Sequence, residues 1–220
     1  MADHTKRPAL FRNLVPLVLA SASPRRRALL ASVGLSLEVL PAEVEESLSP
    51  GVSPEEAVKE LARRKVLAVV RKVGLQRAVL AADTLVVHQG RLLGKPRDLA
   101  EARNMLQALS GTWHEVLTGA AIRFQEKETV FFTRTRVRFR ILSPEEIEAY
   151  LATGEPLDKA GAYAIQGLGA AWVAEVQGSV TGVVGLPLAE TLEILLRWGL
   201  IEPIPGEGAQ KPSSPGKDPL

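Results

Sequence analysis

Arg25-Arg26-Arg27 follows Ser21-Ala22-Ser23-Pro24. A serine N-cap with proline at the first helical position predicts a helix start there, so three guanidinium groups fall in its opening turn. The macrodipole and the free N–H groups of that turn disfavour cations and favour anions. A strand, a hydroxyl-rich turn and a helix N-terminus make an anion cradle, to which adjacent guanidiniums add bidentate phosphate grips. A solvated arginine cluster is the competing reading. A P-loop is excluded, because its glycines and its Gly-Lys-Ser/Thr ending are absent.

Lys65 interrupts an apolar helical stripe of Val58, Leu61, Ala62 and Val69. An ammonium there must snorkel, pair with an acid or project into a polar cavity. Asp83 stands among Val79, Leu80, Ala81, Ala82, Leu85, Val86 and Val87, where an unpaired carboxylate is heavily penalised. It calls for a cation or a cleft, or else a pairing with a loop. Such a carboxylate can hold Mg²⁺ or accept a proton from an attacking water, and Thr84 offers a hydroxyl beside it. Gly94-Lys95-Pro96 and the loop 155–169, with Asp158, Lys159 and Gln166, add a close-approach glycine, point charges for phosphate and an amide able to read a base edge. Each of these is also ordinary in a surface loop. Arg134, Arg136, Arg138 and Arg140 share one strand face at period 2. They read as a solvated face, with phosphate or partner binding as the lesser alternative.

The elements that must place these groups follow from pattern. Residues 14–20 read as a strand running into the Ser23-capped helix, and 37–40 as a second strand followed by Glu43, Glu45 and Glu46. Ser53-Pro54-Glu55-Glu56 opens a helix to about Val73. Residues 78–87 form a strand turned back at Gln89-Gly90, and Asp98 caps a helix closed by Gly111. Strands 116–124 and 129–140 follow, then a helix from Ser143-Pro144-Glu145-Glu146, a glycine-punctuated loop, a hairpin over 172–184 around Gln177-Gly178, and a last helix over 187–198. The expected class is α/β, a mixed twisted sheet flanked by helices, with loops at strand ends forming a cleft. Residues 14–200 are expected to be one catalytic domain, with 1–13 a flexible lead-in and 201–220 a flexible Pro/Gly/Ser tail.

The 220-residue chain has 46% hydrophobic and 24% charged residues, which excludes global disorder. It has no cysteine, so disulfides, thiolate zinc sites and a cysteine nucleophile are excluded. His4, His88 and His114 show no ligand or triad spacing. The net charge of +2 gives no general pull toward nucleic acid or an anionic membrane, so an anion site must be local. No secretory signal or membrane span is read, and a cytoplasmic location is expected.

Leu19-Ala-Ser-Ala-Ser-Pro-Arg-Arg26, Ala82-Asp-Thr84, Gly94-Lys-Pro96, Glu155-Pro-Leu-Asp-Lys-Ala-Gly-Ala-Tyr-Ala-Ile-Gln-Gly167 and Val184-Gly-Leu-Pro-Leu188 together resemble the Maf family of nucleotide pyrophosphatases, in order, over residues 14–199. The resemblance implies a two-lobed α/β protein of the Maf/ITPase kind around a deep cleft, often dimeric. It implies hydrolysis of a nucleoside triphosphate to the monophosphate and pyrophosphate with a divalent cation, Mg or Mn. Asp83 matches the family's proton acceptor. Arg25, Thr84 and Gln166 match positions that sort subgroups, here in the form of the dTTP and UTP subgroup rather than that acting on 7-methyl-GTP. Ser23, Arg26, Lys65 and Lys95 are expected to bind phosphate, and Glu46 with Asp83 to hold the metal. Arg27 is a basic residue beyond the motif. The alternative reading is a nucleotide-binding regulator of cell division without significant hydrolysis. A nucleic-acid module using the arginine stripe is disfavoured by the small net charge and 5% aromatic content.

Overall fold

A computed structural model describes residues 9–45, 47 and 51–205. In chain order the elements are β1 (Phe11–Asn13), β2 (Leu17–Leu19), α1 (Pro24–Ser32), β3 (Glu38–Val39), α2 (Pro54–Val73), β4 (Ala78–His88), β5 (Arg91–Leu93), α3 (Leu99–Leu109), β6 (Trp113–Phe124), β7 (Lys127–Phe139), α4 (Pro144–Leu151), β8 (Val173–Gln177), α5 (Val180–Val184), α6 (Leu188–Arg197) and β9 (Ile201–Pro203). Short 3₁₀ turns fill the stretch between α4 and β8. The main sheet runs β3-β2-β4-β6-β7-β8, with β5 added to β4. β2 is parallel to β3 and β4, and the later pairs are antiparallel. This is a mixed sheet with helices on its faces.

The helix starts follow local chemistry. Ser23, Ser53, Asp98 and Ser143 accept hydrogen bonds from the main-chain N–H three residues on, which satisfies donors that the first turn would otherwise orphan. Side-chain alternation along β4 assigns its two faces. Val79 and Ala81 pack with Ala62, Val66 and Val69 of α2. Leu80 and Ala82 pack with Leu30 of α1 and Ile194 and Leu195 of α6. Farther along that second face, Val86 and Val116 belong to another core, with α3, α4 and Phe139. Thr84 and its register partner Thr118 lie between the two cores.

Two features of the sheet open the cleft. β2 covers the edge of β4 at Ala78–Leu80, and β5 covers it at Val86–His88. Among the described residues, no strand covers 81–85 on that side. On the α2 face, Gly119 is the register partner of Asp83, and a Cβ built there would lie 2.2 Å from the Val58 carbonyl oxygen. Only glycine lets the α2 backbone lie this close to the sheet.

Three expectations need correction. Within the expected lead-in 1–13 and tail 201–220, Phe11–Asn13 and Ile201–Pro203 pair as an antiparallel ribbon, while residues 1–8 and 206–220 lie outside the described residues. Buried Leu200 and Ile201 and hydrogen bonds from Leu10 and Phe11 N–H to the Val33 carbonyl fasten this ribbon to the body. The expected hairpin over 172–184 is half strand and half helix: β8 ends at Gln177 and residues 180–184 form α5. Ser179 accepts from the Gly182 N–H at 3.0 Å, and this cap turns an apolar, β-branched run into one helical turn. β6 also begins earlier than expected, at Trp113.

Candidate active site

A cleft of about 780 Å³ opens beside the uncovered stretch of β4. Ser23, Arg25, Arg26, Lys65, Asp83, Thr84, Lys95 and Gln166 all line it. They come from five separate parts of the chain: the start of α1, the middle of α2, the centre of β4, the loop after β5, and the loop after α4. Arg27 is exposed and is not part of the wall. Glu46 lies outside the described residues.

Asp83 is 9% exposed. Lys65 Nζ donates to its Oδ1 at 2.5 Å, and both side chains are only 12% exposed. The lysine in the apolar stripe is thus paired with an acid at the rim of a polar cavity. A pair this buried stands only because each charge offsets the desolvation of the other. Period 2 turns Thr84 to the opposite face, yet both residues reach the cleft where the strand edge is bare.

At the start of α1, Ser23 Oγ accepts from the Arg26 N–H at 3.5 Å, and Ser21 Oγ accepts from the Ser23 N–H at 3.2 Å. The Arg26 side chain ties three walls together. Its Nε donates to the Gly185 carbonyl at 2.7 Å, Nη1 to Ser21 Oγ at 3.0 Å and Nη2 to Thr84 Oγ1 at 3.3 Å. A guanidinium held by three elements is preorganised, which is what anion binding in a cleft requires. Arg25 faces Asp158 across the mouth, at 3.9 Å.

The loop after α4 is locked by Glu155. Its carboxylate accepts from the Tyr150 hydroxyl at 2.7 Å and from the main-chain N–H of Leu168 at 3.2 Å and of Gly169 at 3.3 Å. Burial alone would push the Glu155 carboxyl up, but these donors outweigh it and hold it below its usual range. A Cβ at Gly167 would lie 2.6 Å from Glu155 Oε1, so a larger residue there would displace the carboxylate that locks the loop. The Gly161 N–H donates to the Gly94 carbonyl at 3.1 Å, joining this loop to the Lys95 loop. Lys159 pairs with Asp158 and donates to the Glu155 carbonyl at 2.7 Å. Asp158 is lowered by that lysine first of all.

The sequence reading missed three residues that hold this geometry: Thr118, Tyr150 and the carboxylate of Glu155. Thr118, a hydroxyl on an otherwise apolar strand face, was the available signal. The arginine stripe is elsewhere and is spoken for. Arg134 pairs with Glu55, Arg138 with Glu175 and Arg140 with Glu146, while Arg136 stacks on Trp113 at 4.6 Å. It is the solvated face expected of it.

A model of the family described as Maf-like protein matches residues 16–198. A dTTP/UTP pyrophosphatase of Anaeromyxobacter sp. (strain Fw109-5) is 52% identical over 208 residues, which are 92% of this chain and 98% of that protein. A dTTP/UTP pyrophosphatase of Geotalea uraniireducens (strain Rf4) is 51% identical over 188 residues, 84% of this chain and 96% of its own. Among solved structures, a nucleoside-triphosphatase / dITP/XTP pyrophosphatase from Mycobacterium abscessus superposes with a TM-score of 0.38 at 21% identity, covering 64% of this chain and 95% of that one. With a family model spanning most of the residues and relatives at about half identity over nearly their full length, the chain belongs to the Maf-like protein family.

Proposed function

We propose that this chain hydrolyses dTTP and UTP to the nucleoside monophosphate and pyrophosphate. The observation that carries the reading is the buried Lys65–Asp83 pair, set on the same cleft as the serine-capped start of α1. An acid and an anion cradle at one site suit attack of water on an anionic phosphorus. The names of the relatives at about half identity supply the nucleotide. The walls on either side of the cleft are read as the two lobes of the family fold.

In this mechanism the triphosphate lies along the N–H groups of α1, with the Ser23 hydroxyl hydrogen-bonded to it and Arg26, Lys65 and Lys95 neutralising it. Asp83 orients a water toward the α-phosphorus and takes its proton as the phosphorus–oxygen bond to the pyrophosphate breaks. Lys65 holds Asp83 Oδ1 in place, so the carboxylate meets the water in a fixed orientation. Arg25, Thr84 and Gln166 meet the pyrimidine. Among the described residues, no group of three or more His, Asp or Glu can hold a metal alone. One buried carboxylate beside a polyphosphate nevertheless suits Mg²⁺ or Mn²⁺, which bind through one or two carboxylates together with substrate oxygens. Asp83 and Glu46 are the residues assigned to hold it. When bound, such a cation offsets charge on the phosphoryl oxygens. Because the substrates are intracellular nucleotides, the cytoplasm is the assigned location.

The test is pyrophosphate release from a panel of dTTP, UTP, CTP, ATP and GTP with Mg²⁺ or Mn²⁺. The reading expects dTTP and UTP to lead, with pyrophosphate and monophosphate formed one to one. Release of orthophosphate, or binding of dTTP without turnover under either metal, would replace it, the second outcome in favour of a regulator.

A further inference from the structure

Behind Thr84, on β6, its register partner Thr118 is wholly buried, at 0% exposure. The two hydroxyl oxygens are 3.0 Å apart. Thr118 Oγ1 also lies 2.7 Å from the Gly182 carbonyl oxygen of α5. A carbonyl only accepts, so Thr118 donates to it, and a hydroxyl has one hydrogen to give. Thr84 must therefore be the donor in the threonine pair. From the other side, Arg26 Nη2 donates to Thr84 Oγ1 at 3.3 Å. Thr84, on the cleft wall, thus has its hydrogen and one lone pair engaged within the protein. What it has left for a ligand is an acceptor.

We infer that Thr118 is a positioning residue that fixes Thr84 as a hydrogen-bond acceptor toward the base, and so selects uracil and thymine over cytosine. This rests on the pyrimidine-nucleotide reading above and deepens it. At position 3, uracil and thymine carry an imide N–H, whereas cytosine carries a bare lone pair. An acceptor-only oxygen pairs with the first and opposes the second. A free hydroxyl would rotate to suit either base. Selectivity then originates in the Thr118–Gly182 hydrogen bond, whose two partners sit behind the residue that reads the base. A mismatched polar pair in a partly desolvated site is worth about tenfold or more in relative efficiency.

The experiment compares kcat/KM for UTP and CTP in the wild type, Thr118→Val and Thr118→Ser, with thermal melts of each. The wild type is expected to favour UTP over CTP by at least about tenfold. Thr118→Val keeps the shape, removes the donor to Gly182 and frees the Thr84 hydrogen. Its CTP-to-UTP ratio is expected to rise about tenfold, while Thr118→Ser keeps the wild-type ratio. A purely structural Thr118 would lower both substrates alike and leave the ratio in place, and that result overturns the inference. Should the valine variant not fold, Thr118→Ala removes the same hydroxyl and carries the same expectation. Equal use of UTP and CTP by the wild type also overturns it, while hydrolysis of both to monophosphate and pyrophosphate would leave the reaction itself intact. Failure to hydrolyse UTP and dTTP at all would instead overturn that earlier reading.

Discussion

Replacing Gly119 by alanine tests whether the sheet itself places the Lys65–Asp83 pair. A Cβ at this position lies 2.2 Å from the Val58 carbonyl oxygen and 2.4 Å from its carbon, against a floor of 3.0 Å for real contacts. The α2 backbone must therefore retreat from β6 by about 0.8 Å, the difference between 3.0 and 2.2 Å. Both partners are main chain inside regular elements, so no side-chain rotation absorbs the clash. Lys65 travels with α2, whereas Asp83 stays with β4, whose register pairs it with Gly119 itself. Overpacking of this kind costs about 1–3 kcal/mol, and a misplacement approaching 1 Å costs about a hundredfold in rate. Gly119→Ala is thus expected to fold, to melt a few degrees lower and to lose about a hundredfold in kcat. Steady-state pyrophosphate release and a thermal melt check both halves. A folded Gly119→Ala variant with kcat within about threefold of the wild type would refute the reasoning, because α2 would then have moved without consequence for the acid.

Glu155→Gln replaces one of the two accepting carboxylate oxygens by an N–H₂ donor, which opposes at least one of the three donors that now meet the carboxylate. It is expected to loosen the Gln166 loop and raise KM by about tenfold, with a smaller effect on kcat; steady-state kinetics on UTP separate the two. Lys65→Met strands a buried carboxylate, and urea unfolding should show a loss of about 3 kcal/mol. His114 is 2% exposed, and burial, with a smaller contribution from His88, depresses it from 6.5 to about 4. Its neutral form is the native one, so the unfolded chain binds the extra proton first as pH falls. Stability that is full above about pH 6.5 is expected to drop by about 2 kcal/mol by pH 5, and by about 3 kcal/mol once pH passes below 4. The hydroxyl of Tyr163 bonds His114 Nε2 at 2.8 Å, so a paired His114→Phe, Tyr163→Phe variant removes the group without orphaning its partner. Urea titrations across this range should show the variant with a shallower acid slope, and an unchanged slope would acquit His114.

What local chemistry controls could be read from the residues. The four capped helix starts and the β4 turn at Gln89-Gly90 follow from short-range rules, and the fold has them in place. The charges at Lys65 and Asp83 were conspicuous because each interrupts an apolar pattern, though the pattern did not say that they pair with each other. That depends on the crossing of α2 over β6 at Gly119, a contact between segments far apart in sequence. The tail ribbon and α5 were misread for related reasons. Phe11–Asn13 becomes a strand only through its distant partner Ile201–Pro203. In α5 a single serine cap outweighs the β-propensity of Val180, Thr181, Val183 and Val184. The hydroxyl of Thr118 breaks an apolar strand face, but its work is done through Thr84, and that of Glu155 through Tyr150 and the main-chain N–H groups of Leu168 and Gly169, pairings that sequence pattern does not display.

Asp83→Asn tests the central claim most directly, since the amide fills the same space but takes up a proton far less readily. Nucleotide affinity measured by calorimetry with dTTP should stay within about threefold of the wild type, while single-turnover pyrophosphate release should fall by about a thousandfold. Undiminished hydrolysis by a folded Asp83→Asn variant would contradict the account, because the water would then be activated by some other group.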